Sequence, residues 1–194
     1  MNERLRFIVA GFFVGLAEIL PGISGSTIAI AFNVYQKFIL FLSNLKVSNL
    51  SLKYKELNRV FFLDLIIPFL FSMALSVILL SNLIMFLFSE YTYYFLVFLG
   101  SLMCLIAFVL LNRIKDLLNN KLRIFFYFSL GAVFGFLLNQ INIIFINPNF
   151  IILLVVGFIA FSFFLMPGIS GSAVLLSIGV YELIIGSIAI LNMT

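Results

Sequence analysis

Long apolar runs separated by short polar stretches dominate the chain: Phe7–Leu42, Phe61–Phe88, Tyr91–Leu111, Ile124–Ile146 and Phe150–Leu191. A helix of about 20 residues crosses ~30 Å of hydrocarbon, so each of the three middle blocks predicts one spanning helix. The first of them is long and carries Asp64 and Pro68 in its early turns. The outer two blocks do not fit one span. Their 36 and 42 residues would make helices of about 54 and 63 Å at ~1.5 Å per residue. Both are interrupted near the middle by Pro and Gly, and both should break there.

The two interruptions are the same segment. Pro21-Gly22-Ile23-Ser24-Gly25-Ser26 is repeated as Pro167-Gly168-Ile169-Ser170-Gly171-Ser172, and the same offset of 146 matches Val34-Tyr35 to Val180-Tyr181. Six consecutive identities of this kind point to an internal duplication.

Charge placement chooses between a broken helix that crosses and a hairpin that returns to its own side. The basic residues flank the apolar blocks: Arg4 and Arg6; Lys37, Lys46, Lys53, Lys55 and Arg59; Arg113, Lys115, Lys121 and Arg123. With re-entrant hairpins all 11 Lys and Arg share one face, whereas crossing helices give at best nine against two. The positive-inside rule selects the hairpins. Phe7–Leu20 would reach only about 21 Å, which is re-entrant length. Three spans between the hairpins then make the first open to the cytoplasm and the second to the outside. The expected architecture is an all-α integral membrane protein, an inverted repeat of two re-entrant hairpins with about three full spans between them. It forms one membrane domain, 1–194, divided as 1–42, 61–146 and 150–194, with a cytoplasmic N-terminus and an external C-terminus. Such repeats place irregular backbone near the bilayer midplane and are characteristic of secondary transporters. Met1–Ala17 superficially resembles a signal peptide, but cleavage there would remove the first half-helix of one repeat and leave its partner intact.

Composition narrows the chemistry. The chain is 64% hydrophobic and 9% charged, with no His and 26 Phe, and its mean hydropathy is +1.30. Without His there are no imidazole metal sites, His bases or Ser-His-Asp triads. Cys104 is alone in an apolar run, so no disulfide framework or thiolate site is expected. No catalytic residue, metal or cofactor is expected. The net charge of +4 reflects topology signals at segment ends rather than a nucleic-acid surface.

The two Pro-Gly-Ile-Ser-Gly-Ser segments, or tips, are the candidate site. Pro21 and Pro167 interrupt the helices, and Ser24, Ser26, Ser170 and Ser172 are natural caps for the returning helices. Those hydroxyls either only satisfy freed backbone groups or, with the helix starts beside them, form an anion site for phosphate or carboxylate. Glu18 is the one acid expected deep in the membrane, and its counterpart at the offset of 146 is Phe164. It is a candidate proton carrier or hydrogen-bond donor to a bound anion, or else a cap on local backbone. Tyr35 and Tyr181, about three turns beyond the tips, suit interfacial anchoring, and Lys37 suits snorkelling to head-groups or attraction of an anionic lipid head.

At the tips the sequence resembles the polyprenyl-phosphate (undecaprenyl-phosphate) transporter family, formerly domain of unknown function 368. The family's first pattern is met by Gly11, Gly15, Glu18, Pro21 to Ser26 followed by Thr27, and Tyr35-Gln36-Lys37. Its second is met by Pro167 to Ser172 and Gly179-Val180-Tyr181. The chain looks shorter than typical members, with fewer spans between the repeats. The resemblance implies a flippase returning the lipid carrier from the outer to the cytoplasmic leaflet of a bacterial or archaeal membrane for cell-envelope synthesis. For that cargo the residues themselves make Gly22, Ser24, Gly25, Ser26, Thr27, Gly168, Ser170, Gly171 and Ser172 the expected phosphate ligands, Glu18 the candidate for proton coupling, and Lys37, Tyr35 and Tyr181 the candidates for head-group entry. The expected partners are membrane lipid, polyprenyl phosphate and protons. One alternative is a secondary transporter of a small anion. Another is an enzyme like the undecaprenyl-pyrophosphate phosphatases, whose Pro-Gly-x-Ser-Arg-Ser motif has an Arg where this chain has Gly25 or Gly171, and whose glutamate pair is missing beside Glu18.

Overall fold

The computed structural model describes residues 2–46, 54–114, 121–139 and 148–191. These residues form helices α1 (Glu3–Ile19), α2 (Gly25–Ala31), α3 (Tyr35–Ser43), α4 (Tyr54–Phe61), α5 (Leu63–Glu90), α6 (Thr92–Ile114), α7 (Lys121–Asn139), α8 (Phe150–Phe164), α9 (Gly171–Ser177) and α10 (Tyr181–Leu191), with no strand among them. The three middle helices begin within a few residues of the expected spans. Residues 140–146 of the third block, and Lys53 and Lys115, lie outside the described residues. Among the described residues, α5 is the single unbroken helix long and apolar enough to cross a membrane.

Both outer blocks break at their tips, as the Pro-Gly pairs require. Each also breaks a second time, which the apolar pattern alone does not indicate. α2 meets α3 at a bend of 117°, and α9 meets α10 at 113°. The cause is a left-handed residue after each short helix, Asn33 (φ 55°) and Gly179 (φ 78°). In the first elbow, Asn33 N–H donates to Ile30 (2.9 Å) and Val34 N–H to Ala29 (2.9 Å); in the second, Gly179 donates to Leu176 (3.0 Å) and Val180 to Leu175 (3.1 Å). This is the paired 5→2 and 6→1 closure of a Schellman cap. Val34 and Val180, buried after each cap, fix the direction of the next helix.

α1 packs along α5 at small residues. Gly11 faces the backbone of Phe69 and Gly15 that of Met73. A step of four on one helix matches a step of four on the other in the same sense, so α1 and α5 run parallel. The chain between them must therefore return to the level of the start of α1. Phe7, Val14, Val34, Phe38, Ile66, Phe69 and Phe164 fill the core on that side, and Ile19, Ile23, Ile84, Phe95, Leu99, Tyr181 and Ile185 fill it on the other. The exterior is apolar as well. Phe71, Phe108, Phe125 and Phe158 are between 65% and 74% exposed, a surface suited to hydrocarbon rather than water. At the α5–α6 turn Tyr91, Tyr93 and Tyr94 are exposed, as amphipathic rings are at a membrane–water boundary.

Candidate functional site

Each tip is shaped by a glycine. Gly22 and Gly168 both take φ 90°, a conformation that side chains disfavour. Ser24 and Ser170 follow in extended conformation and cap the next helix, accepting from Thr27 N–H (3.4 Å) and Ala173 N–H (3.2 Å).

The two tips are crossed and bonded to each other. Gly22 N–H donates to Ser170 Oγ (3.2 Å), and Gly168 N–H donates to Ser24 Oγ (3.3 Å) and Thr27 Oγ1 (3.0 Å). Ser26 Oγ donates to the Met166 carbonyl (3.2 Å), and Ser172 Oγ to the Leu20 carbonyl (3.1 Å). Tyr35 OH donates to the Leu165 carbonyl (2.8 Å), and Tyr181 OH to the Ile19 carbonyl (2.5 Å). Apart from the Gly168–Thr27 bond, each cross-tip pair is answered by the pair 146 residues on.

These bonds fix where the hydroxyl protons go. Ser26 gives its proton to Met166, so in the Ser24–Ser26 contact (2.9 Å) Ser24 is the donor. Ser172 gives its proton to Leu20, so Ser170 is the donor in its contact with Ser172 (3.0 Å). All four serine protons are committed in this arrangement. Thr27 differs: its oxygen accepts from Gly168, and its proton has no acceptor among the described residues.

Glu18 joins this cluster from α1. Its Oε1 accepts from Gly25 N–H (2.9 Å). A Cβ on Gly25 would collide with that carboxyl, and one on Gly171 would lie 3.4 Å from Oε2 and 2.7 Å from the Ala160 carbonyl. Glycine at 25 makes room for the carboxyl, and glycine at 171 makes room for the Ala160 carbonyl. Phe164, its counterpart, instead packs in the apolar core against Phe38, with ring centroids 6.0 Å apart.

The remaining candidates divide. The tyrosines meet the tips through their hydroxyls, and Tyr181 is only 1% exposed. Each hydroxyl bonds a carbonyl freed at the opposite helix break; Tyr181 is held inside by it, and Tyr35 is half-buried. Lys37 does not reach the tips. Its Nζ pairs with Glu3 Oε1 (2.7 Å), beside Arg6 on the same carboxyl (3.4 Å), and lies 5.3 Å from the centre of the Phe62 ring. The hydrogen bond from Lys37 holds the Glu3 carboxyl below its ordinary range, with some opposition from burial. Whatever this pair adds to stability is present at neutral pH and is lost as pH falls through that lowered value. Met103 of α6 went unnoticed in the sequence. Its thioether covers Gly22, a contact that no local pattern announces.

An all-helical, apolar chain whose polar groups converge on two crossed helix breaks has the build of a membrane transporter. Over residues 14–194 it matches the family described as "VCA0040-like: Undecaprenyl phosphate translocase-like", and it belongs to that family. It is similar to a polyprenyl-phosphate transporter of Vibrio cholerae serotype O1, with 26% identity over 192 residues, 95% of this chain and 60% of the relative. The chain thus spans about 60% of that relative's length. Both names describe transport rather than enzymatic catalysis. No solved structure matches the chain.

Proposed function

We propose that this chain carries polyprenyl phosphate, of the undecaprenyl type, from the outer to the cytoplasmic leaflet of a prokaryotic membrane, sheltering the phosphate at the two tips while the prenyl tail stays in lipid. The observation that carries this reading is the reciprocal cross-bonding of the tips. In the proposed architecture the tips are the midplane ends of two oppositely facing re-entrant hairpins in one domain, 1–194. The parallel course of α1 and α5 supports a first hairpin that returns to its own side. The N-terminus is then cytoplasmic and the C-terminus external.

With the four serine protons committed, the crossed state offers an anion no serine hydroxyl. Parting the tips releases the amides of Gly22 and Gly168 and the hydroxyls of Ser26 and Ser172. Each neutral bond lost costs about 0.5–1.5 kcal/mol net, whereas a bond to a charged group contributes about 1.5–3 kcal/mol. Phosphate can therefore replace the cross-tip bonds that hold the site shut. Once it leaves, the bonds re-form.

Moving an anion inward opposes an inside-negative potential by about 2.3 kcal/mol per charge per 100 mV. A proton on Glu18 would offset that cost and remove the repulsion between carboxylate and phosphate. In proteoliposomes, wild-type transport of a fluorescent polyprenyl phosphate is expected to respond to an imposed pH gradient. Glu18→Gln, which keeps an acceptor for Gly25 N–H, is expected to lose that response. Equal pH-gradient drive in the variant would remove Glu18 as the proton carrier.

A further inference from the structure

The tips are alike in sequence but not in surroundings. A cavity of about 280 Å³ lies beside the first tip, between Thr27 and Gly168 on one wall and Met103, Ile106 and Ala107 of α6 on the other. Among the described residues the second tip has no such cover: a Cβ on Gly168 would meet none of them within 4 Å, whereas one on Gly22 would meet the Met103 thioether. The sequence also departs from the repeat here, since Thr27 corresponds to Ala173. Thr27 is the tip hydroxyl whose proton is uncommitted, and it lies in the cavity wall.

We propose that this cavity is where the transported lipid first docks, with a phosphate oxygen accepting from the Thr27 hydroxyl and the first isoprene units lying against Met103, Ile106 and Ala107. The inference rests on the reading of the preceding section and adds which tip and which helix receive the lipid. The cavity has a polar end and an apolar end, as an amphiphile requires. Its volume lies near the lower limit of the ~300–1,000 Å³ usual for small-molecule sites, so it accommodates the head and the start of the tail only. The tail continues along the outward side of α6, where Leu105 and Phe108 are 62% and 65% exposed. Initial docking leaves the serine network intact, and the tips part afterwards.

The test uses the full chain in proteoliposomes and a polyprenyl phosphate bearing a diazirine in its first isoprene unit. Photolabel is expected on the Met103–Ala107 stretch of α6 and is expected to fall about fivefold or more in Ala107→Phe, which fills the apolar end from an exposed position. Thr27→Val leaves Gly168 N–H the Ser24 acceptor and is expected to slow transport by about tenfold or more, as loss of a charge-assisted bond would; Thr27→Ser is expected to restore it. Label confined to other helices, with wild-type transport intact, would overturn this inference and leave the transport reading standing. If the wild type moves no polyprenyl phosphate, the reading itself fails and this inference with it.

Discussion

Ser170→Ala is expected to destabilise the protein more than Ser24→Ala, and the double substitution is expected to abolish lipid translocation. Each serine is a helix cap, whose loss costs about 1 kcal/mol, and each also accepts an amide from the opposite tip. The two differ in what is left behind. Without Ser24, Gly168 N–H still has Thr27 Oγ1 at 3.0 Å; without Ser170, Gly22 N–H keeps no acceptor among the described residues. A buried donor left unpaired costs about 1–3 kcal/mol, and the lower part of that range applies to Gly22, which is half-buried. Ser170→Ala should therefore cost ~2–3 kcal/mol and Ser24→Ala nearer ~1 kcal/mol, from the cap and the unpaired amide. Thermal unfolding in detergent reads the order, and equal or reversed costs would contradict the cross-tip network.

The second large effect concerns two glycines that the duplication makes equivalent. Gly11 and Gly157 are 146 residues apart, one on each helix that leads to a tip. A Cβ at Gly11 would run into the Phe69 carbonyl, whereas at Gly157 it would meet none of the described residues within 4 Å. A backbone carbonyl inside a helix cannot swing aside as a side chain can. Close approach through small residues is how helices associate when lipid surrounds them. Gly11→Val is accordingly expected to cost about 3 kcal/mol or more, at the upper end of overpacking effects, by prising α1 from α5. Gly157→Val is expected to be close to neutral. Matching losses of folded protein for the two variants would contradict the α1–α5 packing.

That contrast also marks how far the sequence could be read. The tip breaks were legible because Pro and Gly act locally, and the duplication was legible because six residues repeat. The elbows at Asn33 and Gly179 were within reach, since Asn and Gly are the residues that end helices in the left-handed conformation. They were hidden by the apolar continuity on either side, and by the repeat having Asn in one copy and Gly in the other. The tyrosine contacts were not legible, because a polar-tipped ring at the end of an apolar run ordinarily faces an interface. Their partners, the carbonyls of Leu165 and Ile19, are 130 and 162 residues away. Carbonyls have no sequence signature, so nothing local announced the bonds. The proton accounting that commits four serines and leaves Thr27 open depends on those same distant contacts. Glu18 was singled out by its chemistry alone; its place between Gly25 and Gly171 needed both tips in position.

The most direct test of the central claim is translocation in liposomes containing the purified wild-type chain, comparing a fluorescent polyprenyl phosphate, the corresponding polyprenol and inorganic phosphate. The account predicts transbilayer movement of the polyprenyl phosphate that requires its phosphate and is not accompanied by uptake of inorganic phosphate. Uptake of inorganic phosphate without movement of the lipid would contradict it and make the tips the site of a small-anion carrier.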